Sequence, residues 1–106
     1  MAWSALLLAG AFEIIWVLAL KYSEGFTRVG PSLVMVAAIA LSFALLGMSL
    51  TSIPFGTAYA VWTGIGAAGA VITGILLFGE TADLARIGCI LLIIAGTIGL
   101  RLVTPE

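Results

Sequence analysis

The sequence predicts an all-α membrane protein of four transmembrane helices, and three observations carry that expectation. Hydrophobic residues make up 63% of the 106 and charged residues only 8%, with a mean hydropathy of +1.32. Soluble domains run to roughly 45–50% apolar and about 25% charged, so the chain belongs in a bilayer. A membrane helix needs about 20 apolar residues, so the length holds four spans and short connections, with no room for a soluble domain. The few charges fall as punctuation between apolar runs.

The first span is expected over residues 2–20 and ends at Lys21. It has the length of a secretory signal but lacks a basic leading region and carries Glu13 in its apolar stretch, so it reads as a retained helix. Tyr22-Ser23-Glu24-Gly25-Phe26-Thr27-Arg28 makes a polar turn. No charge follows until Glu80, which is too far for one crossing. The break falls at Thr51-Ser52-Ile53-Pro54, where hydroxyls and a proline mark a turn. Span two is therefore placed at 31–50, with Pro31 where a first helical turn tolerates it, and span three at 55–78. After Gly79-Glu80-Thr81-Ala82-Asp83, with Thr81 or Asp83 as the cap, span four covers 84–103. Trp3, Tyr22 and Phe26 suit an interfacial aromatic belt. The expected arrangement is an up-down bundle forming one domain over 1–106.

Several function classes drop out. The chain has no His, Asn or Gln, which removes the usual metal ligands, the Ser/His and Cys/His catalytic arrangements and the common amide relays. No enzyme activity, metal or cofactor is expected. A net charge of −1 with four basic residues gives no footprint for nucleic acid. Cys89, alone in an apolar run, reads as an inert small hydrophobe. Lys21, Arg28 and Arg86 fall on the loop side and Arg101 on the side of the termini, a weak bias for the positive-inside rule, so orientation is poorly specified.

Glu13 is the exceptional residue. An ionisable group at mid-membrane depth costs about 2.5–3.5 kcal/mol on insertion scales and marks a functional site by default. At 100° per residue, Gly10, Glu13 and Trp16 lie on one stripe, with space one turn before the carboxylate and an indole N–H donor one turn after it. A protonated Glu that merely bonds a neighbouring helix is the bland reading. A Gln would do that without the ionisation cost, so a cation or proton site is favoured.

Span three adds Tyr59 and Trp62 on one stripe with Gly66 and Thr73. Lipid-facing aromatics are the plain alternative, yet aromatic faces beside a buried anion are what a desolvated organic cation needs. Ser42, mid-span in the second helix, is the remaining polar candidate, although membrane Ser residues usually bond their own backbone. Gly64-Ile65-Gly66-Ala67-Ala68-Gly69 matches the dinucleotide fingerprint by letters alone, with no strand before it. Its physical meaning is a small-residue seam (Gly66, Ala70, Gly74) and a local weakening at Gly64 and Gly66 where the helix can bend. Gly88, Ala95, Gly96 and Gly99 give span four a helix-association face.

Taken together, Glu13, Lys21 to Arg28, Pro31-Ser32, Ser42 and the run Pro54-x-Gly56-x-Ala58-Tyr59-Ala60-x-Trp62-x-Gly64-x-Gly66 resemble the small multidrug resistance family over essentially the whole chain. Trp16 in Glu13-x-x-Trp16 is similar to the guanidinium-exporter subtype, where the multidrug subtype typically has Gly. The resemblance implies an antiparallel, dual-topology homodimer in a bacterial cytoplasmic (inner) membrane. It also implies export of guanidinium in exchange for protons through a site shared by two Glu13 residues. By the same resemblance Trp16 and Ser42 hold the carboxylate, Tyr59 lines or gates the site, and Trp62 packs against Tyr59. Gly64 and Gly66 bend span three, and the Gly88, Ala95, Gly96 and Gly99 face makes the dimer contact.

Physical arguments point the same way. Alternating access commonly exchanges two inverted halves, and an inverted second copy supplies what four spans lack. Two carboxylates facing one cavity titrate as a coupled pair. Protons and a cation then compete for one charge, which couples their movements. Guanidinium is planar and offers N–H donors in a fork that matches a carboxylate. Two other readings stay open: a broad quaternary-ammonium or lipophilic-cation exporter of the same fold, and a non-transporting membrane subunit whose Glu13 pairs with a partner chain.

Overall fold

Local sequence signals set the helix limits. In the computed structural model, which describes residues 2–104, α1 spans Ala2–Tyr22, α2 Val29–Ser49, α3 Phe55–Phe78 and α4 Leu84–Val103. Each is long and apolar enough to cross a membrane. Twenty-one residues at 1.5 Å per residue give about 31 Å, the thickness of a hydrocarbon core.

Lys21 lies in the last turn of α1, where a cation suits the negative end of the helix dipole. The turn after it is built on Ser23, which is fully buried. Its Oγ donates to the Leu20 carbonyl at 2.7 Å and accepts the Phe26 amide at 3.2 Å. Glu24, Gly25 and Phe26 all hold positive φ (50°, 73° and 70°), a left-handed run that only Gly25 adopts without steric cost. α2 begins at Val29, two residues before Pro31. The proline sits third in the helix, inside the first turn, where amides have no intrahelical partner to lose.

Thr51 Oγ1 donates to the Met48 carbonyl at 2.8 Å as the chain leaves α2, and Pro54 caps α3. α3 stops at Gly79, whose φ of 67° gives the left-handed C-terminal turn that glycine favours. Asp83 caps α4, accepting the Arg86 amide at 2.9 Å, and Arg86 also reaches back to Glu80 at 3.2 Å.

The helices pack side by side into a flattened molecule. Its extents are 43 × 35 × 16 Å. α1 is central, lying against α2 on one side and α3 on the other, whereas the backbone of α4 approaches only α3. The main apolar cluster gathers Trp3, Leu6, Ala9, Ile53, Ala58, Val61 and Trp62 towards the end that carries the N-terminus of α1. Arg101 stacks over the Trp3 ring there, 4.7 Å from its centroid. Small residues set the spacing of α1 and α3. A Cβ on Gly10 would meet Ile65 Cγ2 at 2.6 Å, and one on Gly69 would overlap Ile14. These contacts and the one between Glu13 and Gly66 advance in the same direction on both helices, so α1 and α3 run parallel.

Candidate functional site

Glu13 is the twelfth residue of α1 and, among the described residues, the charged side chain deepest inside a helix. It is partly buried, and its carboxylate lies against the backbone of α3 at Gly66. A Cβ on Gly66 would overlap Cδ and Oε1 and stand 2.8 Å from Oε2. Oε1 is buried and has no hydrogen-bond partner among the described residues. One turn further along α1, the Trp16 indole N–H is also buried and unpartnered. An acceptor and a donor on adjacent turns are thus both left unsatisfied, and they do not bond each other. A buried polar group without a partner costs about 1–3 kcal/mol, and the Trp3 indole N–H is a third such group among the described residues.

Ser42 is fully buried on α2, and its hydroxyl is committed elsewhere. Its Oγ donates to the Ala9 carbonyl at 2.7 Å and accepts the Trp62 indole N–H at 3.0 Å. This relay ties α3 to α1 through α2, one turn before Glu13. The structure therefore brings neither Ser42 nor Trp16 into a hydrogen bond with the carboxylate.

Around Trp62 the sequence-predicted aromatics do meet. Tyr59 lies 5.8 Å from the Trp62 ring and 6.4 Å from Phe55, and Phe43 meets Trp62 edge-on at 5.7 Å. Tyr59 is 53% exposed, so its outer face is free to meet another surface. Phe43, Phe55 and the Ala9 carbonyl are participants that stripe-based reading missed. Periodicity says which residues share one helix face, and it carries no signal for which groups meet across helices.

The remaining candidates separate by location. Gly64 turns from Glu13 towards α4, where a Cβ would overlap the Thr97 hydroxyl. α3 is a single unbroken helix through Gly64 and Gly66. On α4, a Cβ on Gly88, Gly96 or Gly99 would meet nothing within 4 Å, and Ala95 is exposed. That face has no partner within the described residues. A groove of about 480 Å³ is lined by Ser4, Leu8, Leu45, Met48 and their neighbours, and another of about 190 Å³ by Val17, Lys21, Thr73, Phe78 and Glu80 with theirs. Neither reaches Glu13. Among the described residues no cluster of His, Cys, Asp or Glu could hold a metal.

A four-span chain with one mid-membrane carboxylate, a paired indole and an aromatic cluster on α3 also has matches among known proteins. The model of the Small Multidrug Resistance protein family matches residues 1–93. The chain belongs to the small multidrug resistance family. Its relatives include a protein of Citrobacter freundii named "Guanidinium exporter", 55% identical over 104 residues, covering 98% of this chain and 99% of the relative. One of Salmonella typhi with the same name is 53% identical over 102 residues, covering 96% and 97%. One of Escherichia coli (strain K12), again so named, is 52% identical over 104 residues, covering 98% and 99%. Membership makes this chain a multi-pass membrane transporter and not an enzyme.

Proposed function

We propose that the protein exports guanidinium in exchange for protons across a bacterial inner membrane, through a site built on the Glu13 residues of two antiparallel copies. The observation that carries the reading is the pair of unsatisfied buried groups, Glu13 Oε1 and the Trp16 indole N–H. A carboxylate without a donor suits a ligand that brings donors, and guanidinium brings them in a fork of matching geometry. The names of the relatives support the same substrate.

The mechanism follows from competition. Glu13 carries one charge, which a proton or a cation can neutralise. Both loaded forms are easier to move past an apolar barrier than the bare carboxylates, so exchange of access is coupled to loading. An inverted copy supplies the second half of an alternating-access device. The flattened shape and the uncovered small-residue face of α4 support such a partner, and the exposed face of Tyr59 suits a gate between copies. Trp16 narrows the space beside the carboxylate and disfavours bulky cations. A bend of α3 at Gly64 and Gly66 would let the two copies differ in shape.

A second reading, a broad exporter of lipophilic cations, draws on the exposed ring of Tyr59, since cations bind aromatic faces. Liposomes separate the two. Wild-type protein in liposomes should take up guanidinium when the proton gradient is directed outward, and Glu13→Gln should reduce uptake to that of empty vesicles. Absence of gradient-driven uptake by the folded protein would sink the transport reading. Tetraalkylammonium transport equal to or better than that of guanidinium would favour the broad exporter.

A further inference from the structure

The glycines of α3 are not equivalent, and the difference assigns one of them a task beyond bending. On Gly64 an added Cβ would meet the Thr97 hydroxyl of α4; on Gly69 it would meet the apolar Ile14 side chain. On Gly66 it would meet only the Glu13 carboxylate among the three nearest atoms: Oε1, Cδ and Oε2. Gly66 itself is buried. The carboxylate is therefore seated in the notch left by the missing side chain, with Oε1 sealed from solvent and unbonded. The two nearby side chains that could compete for it do not do so. Ser42 gives its proton to the Ala9 carbonyl, and the Trp16 N–H remains unbonded.

We propose that Gly66 is the positioning residue for Glu13: its absent Cβ forms the seat that fixes where the carboxylate waits for its cation. The clash caused by an added methyl falls on the far end of a flexible side chain. Gly66→Ala thus leaves the helix contacts intact and moves the carboxylate, whereas methyls at Gly10 or Gly69 collide with packed isoleucines. Shortening the side chain by one methylene withdraws the carboxylate from the notch towards α1. Glu13→Asp and Gly66→Ala are accordingly expected to compensate each other.

The test is a double-mutant cycle in liposomes, with Gly64→Ala in a Thr97→Ala background, which removes the collision with α4, as the control for helix bending. Uptake by Gly66→Ala should fall on the order of a hundredfold, as misplacement of a reacting group by about 1 Å can do. The Gly66→Ala/Glu13→Asp pair should exceed the product of the single effects by about tenfold, the coupling expected of groups in direct contact. Gly64→Ala should show no such coupling to Glu13→Asp. Purely multiplicative effects of Gly66→Ala and Glu13→Asp would overturn the proposal and leave Gly66 a bending residue. This transport arm rests on the export reading, so a second readout is independent of it. Modification of Glu13 by an apolar carbodiimide, followed by mass spectrometry, should be faster in Gly66→Ala than in wild type because the covered oxygen is displaced. An unchanged rate would overturn the seat even if transport fails for other reasons.

Discussion

At the scale of single residues, one hydroxyl holds three helices together. Ser42 on α2 links the Trp62 indole to the Ala9 carbonyl, and all three groups are away from water. Ser42→Ala leaves the indole N–H without an acceptor and should lower stability by about 1–3 kcal/mol. Thermal unfolding in detergent measures the loss, and an unchanged midpoint would mean the relay is dispensable. Trp16→Gly should shift preference towards bulky quaternary ammoniums by opening the space beside Glu13. Competition against guanidinium uptake reads this directly. Glu13 and Trp16 were legible in the sequence because a charge and an indole stand out in an apolar run and one turn separates them. The partners of Ser42 were not legible. A backbone carbonyl carries no sequence signature, and helix periodicity cannot say that α2 presents Ser42 to Ala9.

At the scale of elements, the spans were legible for a related reason: charges, hydroxyls and prolines are confined to the connections. Residual differences lie at helix ends. α1 continues through Tyr22 because the buried Ser23 amide bonds the Ala19 carbonyl at 2.9 Å. α2 starts before Pro31 because the first helical amides need no partner. Neighbour relations among the helices were not legible. Every span is apolar around most of its circumference, so hydropathy cannot choose between a closed bundle and a flattened one. The contact of α4 with α3 includes a close approach at one notch, Gly64 against Thr97. Gly64→Ala should push α4 off α3 and weaken the fold, and adding Thr97→Ala should restore much of the loss by removing the colliding hydroxyl. If the double variant melts no higher than Gly64→Ala alone, the notch is not what seats α4.

At the scale of the whole molecule, the charge bias that orients membrane proteins is weak, since Lys21, Arg28 and Arg86 oppose Arg101 alone. The proposed antiparallel pair requires both orientations in one membrane. With Cys89 replaced by Ala, a single cysteine introduced in the 79–83 connection should be labelled by an impermeant reagent in about half of the copies, following from an unbiased choice of direction. Labelling of all copies or of none would exclude dual topology.

A single mid-membrane carboxylate per copy, Glu13, also bears on cells that make two versions of the chain. Under the proposed assembly each working unit draws one carboxylate from each of two copies of the chain. Defective and sound copies made in equal amounts in one cell then pair at random, and about three quarters of the pairs carry at least one defective copy. A copy without Glu13 would thus silence sound copies by pairing with them.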